Sequence, residues 1–277
     1  EKDVVTSDPL ASIHKKKAFI CDMDGVLYHG NRLLSGTRPF VSWLRESGRK
    51  FLFLTNSSER SPQELQQKLG RLGIDATPDH FYSSAQATAA FLAEQYPGGS
   101  VYAIGEPGLI HAVYEAGLTM NEINPDVVVV GETRTYNYEK LEHAVGLVRN
   151  GAKLIGTNPD LTGPAERGIV PATGALIAPI ELATESKAYF VGKPNPLMMR
   201  HALKRLRCRR EETAIIGDRM ETDIIAGIEA EIETVLVLSG VTGRNDLPRY
   251  AYRPDHILDD VGALVPGEGG RAQTNDR

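Results

Sequence analysis

Ala18-Phe19-Ile20-Cys21-Asp22-Met23-Asp24-Gly25-Val26-Leu27-Tyr28 is the stretch from which the fold can be read. Residues 18–21 are apolar without alternation, as in a strand buried on both faces. Two carboxylates follow directly, and Gly25 then allows a sharp turn. The same grammar recurs along the chain. Apolar runs at 51–54, 101–104, 127–130, 153–156, 189–191, 214–216 and 234–238 read as strands. Amphipathic stretches at 40–46, 84–94, 108–116, 138–149, 196–206 and 223–229 read as helices. Another helix is expected to start at Ser61-Pro62, with Ser61 as N-cap, and to close at Gly73. Strand–helix alternation with unbroken apolar strands predicts an α/β, doubly wound parallel sheet.

Open parallel sheets place their sites at the carboxyl ends of the strands. Asp22 and Asp24 follow the first strand and Thr55-Asn56 the next. Lys193 follows residues 189–191, and Gly217-Asp218, with Asp223 further on, follows 214–216. Each piece alone has a plain alternative. Asp-x-Asp-Gly serves strand-end turns and partial Ca²⁺ loops, and by chance occurs in about one chain in twenty of this length. Val26 stands where an EF-hand needs Asp or Asn. Thr-Asn can be a capping turn, Lys193 a solvated lysine and Gly-Asp a tight turn. All four in this order, each after a strand, point to one chemistry. Asp22, Asp24, Asp218 and Asp223 would gather like charges that need a cation or protons. Oxygen ligands without His or Cys favour Mg²⁺. With Lys193, such an ion could hold a phosphate dianion against a carboxylate. The Thr55 hydroxyl and neighbouring backbone N–H groups would hold the phosphoryl oxygens.

The bulk properties of the 277 residues agree. A hydrophobic share of 41% is that of a globular chain. A net charge of −5 provides no field for a nucleic-acid polymer or an anionic membrane, so phosphate must be handled locally. No apolar run approaches the ~20 residues of a membrane helix. Two distant cysteines form no disulfide framework, which suits the cytoplasm. The partner expected is a small phosphorylated metabolite, and a homo-oligomer is compatible with the sequence.

The ordered motifs resemble those of the haloacid dehalogenase (HAD) superfamily. More narrowly, DMDGVLY (22–28), LTNSS (54–58), GETRTYNY (131–138), GTNPD (156–160), TGALIAPIE (173–181), GKPNP (192–196) and GDRMETDI (217–224) resemble the class IIA, NagD-type or nitrophenylphosphatase-like phosphatases. The resemblance implies a phosphomonoesterase acting through an aspartyl-phosphate, with nucleoside monophosphates as first candidates. Phosphoglycolate, pyridoxal phosphate and sugar phosphates are alternatives. Asp22 would be the nucleophile and Asp24 the general acid and base. Asp22, the Asp24 carbonyl, Asp218 and Asp223 would serve Mg²⁺. Thr55, Asn56 and Lys193 would bind the phosphoryl group, and Asn158 and Asp160 would face the leaving group, with Glu166 and Arg167 as further specificity candidates. Family members differ in the run Ser57-Ser58-Glu59-Arg60, so the leaving group does not follow from the resemblance.

Spacing divides the chain. From Thr55 to Lys193 is 138 residues, whereas from Lys193 to Asp218 is 25. A catalytic core over 18–85 and 186–265 with a large α/β cap inserted at 86–185 is expected, along with a flexible lead-in at 1–17 and tail at 266–277. A dinucleotide-binding oxidoreductase would need GxGxxG after a strand, and only Gly105-Glu106-Pro107-Gly108 is present. Pro194 after Gly192-Lys193 disfavours an NTPase loop. A non-catalytic phosphate-binding module would be expected to lose one of Asp22, Asp24, Lys193 and Asp218.

Overall fold

The computed structural model describes residues 8–267. They form two compact units, one holding the chain up to Phe53 and again from Ala202, the other Leu54–His201. The expected tail thus lies mostly outside the described residues, as do residues 1–7 of the lead-in.

In the first unit, strands stand side by side in the order His256–Leu258, Glu233–Val237, Thr213–Gly217, Ala18–Asp22, followed by Lys50–Thr55, of which residues up to Phe53 belong to this unit. The first four run parallel. Phe19, Ile20 and Cys21 are fully buried, as are Ala214 and Ile216. This explains the lack of polar alternation in those runs. The register pairs Cys21 with Ile216. Asp22 and Gly217 therefore end adjacent strands at one sheet edge. The helix Thr37–Glu46 buries Phe40, Val41 and Leu44, the stripe expected from sequence. Residues 8–17 differ from the expected flexible lead-in. Ala11–His14 is a helical turn, and Ile13 and Leu10 are buried. Two apolar anchors and the contact of the His14 ring with Trp43 hold this segment down.

In the second unit, Tyr189–Phe190, Lys153–Gly156, Val127–Val130, Ser100–Ile104 and Thr119–Met120 form a parallel five-stranded sheet in that order. Its core joins Ile104, Val128, Val130, Leu147, Ile177 and Ile180. One boundary is corrected here. The strand at 189–190 pairs with Lys153–Gly156, whereas residues from 186 onward were expected in the catalytic core. Gly156 permits this, because a Cβ there would lie 2.5 Å from the Phe190 ring. The helix Pro62–Arg71 starts as expected, with a Ser61–Glu64 capping box. Thr173–Thr184 is also a helix, with Pro179 inside it. Gly174 and Pro179 mask its pattern in the sequence.

Candidate active site

In the first unit, Asp22, Asp218 and Asp223 each bring a carboxylate oxygen within 4.8 Å of the others. Backbone geometry makes this possible. Residues Met220–Ile224 form a π-helical turn instead of the first turn of a regular helix. That turn carries Asp223 back beneath the strand end, where its Oδ2 accepts from the N–H groups of Asp218 and Arg219 at 3.2 Å. A Cβ at Gly217 would lie 2.1 Å from that of Asp223. Asp218 is held from the other side: Val241 N–H donates to its Oδ2 at 2.8 Å. Gly25, at φ +77°, and Gly240 pack so closely that a Cβ would lie 2.4 and 2.0 Å from that oxygen. Asp24 follows in the turn closed by Gly25 N–H to Tyr28 O, 2.9 Å. Its carboxylate is not one of the three grouped.

This centre is electrostatically unfinished. Asp218 is 1% exposed, and its Oδ1 has no hydrogen-bond partner among the described residues. Buried acceptors are nearly always satisfied. Burial, then the charges of Asp22 and Asp223, pushes the Asp218 carboxyl up to about 8. Three carboxylates, one with an orphaned oxygen, make an all-oxygen donor set that fits a hard divalent cation. Gly240→Ala is expected to displace the Asp218 carboxylate and to lower divalent-cation affinity at least about tenfold. Titration calorimetry on metal-free protein measures this, and unchanged affinity would remove Gly240 from the cradle.

In the second unit, Asn56, Asn158, Asp160 and Lys193 are drawn together. Asn56 Nδ2 donates to Asp160 Oδ2 at 3.0 Å and to Lys193 O at 2.9 Å, and its Oδ1 accepts from Lys193 N–H at 2.8 Å. Asn56 thus joins the loop after its own strand to the lysine loop. Lys193 is 2% exposed, an unusual burial for lysine and one that suits a fixed role. Thr55 Oγ1 accepts from Ser57 N–H at 3.1 Å, which shapes the turn. Asn158, read from sequence as facing the leaving group, is fully buried. Its Nδ2 donates to Asn56 O at 2.6 Å and to Glu132 Oε1 at 2.7 Å. Its geometry is that of a residue that positions Asn56. Asp160 is half-buried. Glu166 and Arg167 are exposed, in the turn between the antiparallel strands Thr162–Pro164 and Ile169–Pro171.

Two further contributors have no local signature in the sequence. Glu132, present there only within GETRTYNY, accepts from Ser58 N–H at 3.0 Å and from the Ser58 hydroxyl. It therefore ties the 56–58 loop to Asn158. Gly240-Val241 closes the Asp218 cradle through backbone alone.

Comparison with known proteins agrees with this chemistry. The model of the Haloacid dehalogenase-like hydrolase family matches residues 19–119, and a HAD-hydrolase-like model matches 190–264. The chain is 42% identical over 248 residues to the dihydroxyacetone phosphatase of Corynebacterium glutamicum, covering 90% of each. It is 43% identical to the ribonucleotide monophosphatase NagD of Escherichia coli K12, covering 90% of this chain and 98% of NagD. The solved NagD structure superposes with a TM-score of 0.85 over the same shares. The 4-nitrophenylphosphatase of Thermotoga maritima, 35% identical, superposes with a TM-score of 0.88, covering 92% and 98% of the two chains. With the carboxylate centre and the Asn56–Lys193 loops, these similarities establish that the chain belongs to the HAD superfamily as a class IIA, NagD-type phosphatase, a hydrolase of phosphoric monoesters.

Proposed function

We propose that this enzyme is a Mg²⁺-dependent phosphatase of small metabolites that works through an aspartyl-phosphate on Asp22. The observation that carries the reading is the trio of half-buried Asp22 with buried Asp218 and Asp223, together with the orphaned Asp218 Oδ1. Asp22, Asp218, Asp223 and the Asp24 carbonyl would hold Mg²⁺. Bound there, the ion supplies the positive charge that lets carboxylates and a phosphate dianion share one site.

The chain's own residues do the rest. An Asp22 oxygen attacks phosphorus, the ester P–O bond breaks, and Asp24 gives its proton to the leaving oxygen. Asp24, now a carboxylate, takes a proton from water as that water attacks the phosphorus of the acyl phosphate. The Asp22–phosphate bond breaks, which frees inorganic phosphate and restores both side chains. Lys193 and the Thr55 hydroxyl would hold phosphoryl oxygens, and residues of the cap expected at 86–185 would choose the leaving group. Two cysteines outside any disulfide suit a reducing compartment, in keeping with the cytoplasm.

Nucleoside monophosphates are the first substrate class, supported by the NagD relative. The 42% identity to a dihydroxyacetone phosphatase favours a triose or sugar phosphate as the second reading. A Mg²⁺-dependent phosphate-release screen across nucleotides, sugar phosphates, phosphoglycolate and pyridoxal phosphate tests both. No turnover of any monoester, including p-nitrophenyl phosphate, would refute the reading. Exchange of residues 157–168 for the equivalent NagD segment is expected to shift the kcat/KM ratio between nucleotide and triose phosphate by at least about tenfold. Turnover of p-nitrophenyl phosphate should move far less. An unchanged ratio would place specificity elsewhere.

A further inference from the structure

The amino ends of the first unit's strands frame a feature that phosphatase chemistry does not use. Lys17 precedes the strand Ala18–Asp22, Lys50 opens Lys50–Thr55, and Glu212 precedes Thr213–Gly217. Backbone bonds link the three, from Lys17 N–H to Glu212 O at 2.8 Å and from Lys50 N–H to Lys17 O at 2.9 Å. Around them lies a cavity of about 490 Å³. Its lining carries six cations, Lys15, Lys16, Lys17, Arg49, Lys50 and Arg207, and one carboxylate, Glu212. The carboxylate trio sits at the carboxyl ends of the same strands, so the two features occupy opposite sheet edges.

The charges are poorly neutralised. Lys16 pairs with Glu233 at 2.8 Å and Lys17 with Glu212 at 2.7 Å. Lys15, Arg49, Lys50 and Arg207 have no carboxylate partner among the described residues. Some of this charge serves the fold. Lys50 Nζ donates to Leu206 O at 3.0 Å, at the end of the helix Leu197–Leu206. Arg49 donates to His14 O and lies over Trp43, 4.5 Å from the ring centroid. Two helix C-termini, at Ser47 and Leu206, border the cavity, and each contributes roughly half a negative charge. Together they offset about one of the four unpaired cations, leaving about three. The Arg49 Nε is buried without a hydrogen-bond partner. In a chain of net charge −5, this local positive charge favours an anion.

We propose that this cavity binds a short phosphate chain, as in a nucleoside triphosphate or free tripolyphosphate. About three surplus charges match a triphosphate better than a single phosphate. The volume lies within the ordinary range of small-ligand sites. Two guanidiniums provide the fork geometry that suits phosphate oxygens. The cationic side chains of the lining address the phosphates, whichever group the chain carries. This inference does not depend on the catalytic mechanism.

Calorimetric titration of the full chain, stripped of metal on a chelating resin, tests it. Without its cation the carboxylate centre repels phosphates, so binding reports the basic cavity. Tripolyphosphate should bind saturably, and the double substitution Lys15→Gln with Arg207→Gln should weaken it at least about tenfold. Turnover of p-nitrophenyl phosphate with Mg²⁺ should stay at the wild-type level, which also certifies folding. Equal affinity for tripolyphosphate and ATP assigns recognition to the phosphate chain. Tighter ATP binding that also responds to the double substitution identifies a nucleotide as the source. No saturable binding of either, affinity indifferent to the substitutions, or binding of RNA alone would overturn the proposal.

Discussion

Asp22→Asn is expected to lower turnover of p-nitrophenyl phosphate by at least about 10⁴-fold, the scale on which removal of a covalent nucleophile acts. The amide has nearly the shape of the carboxylate, so packing at the end of Ala18–Asp22 should persist. It lacks the anionic oxygen needed to attack phosphorus. A second consequence separates chemistry from misfolding. The Asp22 charge helps to raise the Asp218 carboxyl, after burial itself. Its removal should leave the metal-free variant at least as stable as the parent near pH 8. Loss of activity with equal or higher thermal stability is therefore the expected pair of results. Turnover within about tenfold of the parent would take the nucleophile's role away from Asp22. Loss of activity with a collapsed melting transition would instead mark a folding defect, and Asp22→Glu would then be assayed in its place.

What could be read in advance follows from where each interaction lies along the chain. Apolar strands bounded by Asp22, Thr55 and Asp218 are local patterns. Burial on both faces removes polar alternation, and chemistry at strand ends follows from parallel packing. Asp223 was legible for the same reason, being five residues from Asp218, although the π-helical turn that seats it was not. The rest of the cradle was hidden because its parts have no local signature. Val241 acts through a backbone N–H, a group that nearly every residue has. Gly240 matters through the Cβ it lacks, next to a residue 22 positions earlier. Glu132 meets Ser58 across 74 residues, a separation that no helical or strand period spans. Asn158 was found as a motif residue, but only its bonds to Asn56 and Glu132 reveal a positioning role. The strand at 189–190 was legible as a strand, whereas its partner was not, because two residues carry too little pattern to choose a sheet.

Removal of divalent ions should abolish most activity and also reverse the usual sense of pH dependence in stability. Loss of an ion that stabilises transferring phosphate costs several kcal/mol, so turnover should fall at least about 10²-fold and return with Mg²⁺. The stability effect comes from Asp218. Its carboxyl is pushed up to about 8 in the folded chain from an ordinary value of 3.8. Between those values the folded state keeps a proton that the unfolded state has released. Metal-free stability must then fall as pH rises through this window, by up to about 1.4 kcal/mol per pH unit. Glu233, lowered to about 2 mainly by its bond to His256, acts in the opposite sense, but its effect lies below pH 4.5. It leaves the range from pH 5.5 to 8 clear. The proposed Mg²⁺ would need the ionised trio, so its binding should release protons at pH 7, and its gain in melting temperature should be larger at pH 8 than at pH 6. Melting curves at several pH values, with and without Mg²⁺, measure both slopes. Asp218→Asn should flatten the metal-free slope and shrink the Mg²⁺ shift together. A parent protein whose metal-free stability rises from pH 5.5 to 8, or an Asp218→Asn variant that keeps the full Mg²⁺ shift, would show that Asp218 is not the strained member of the centre.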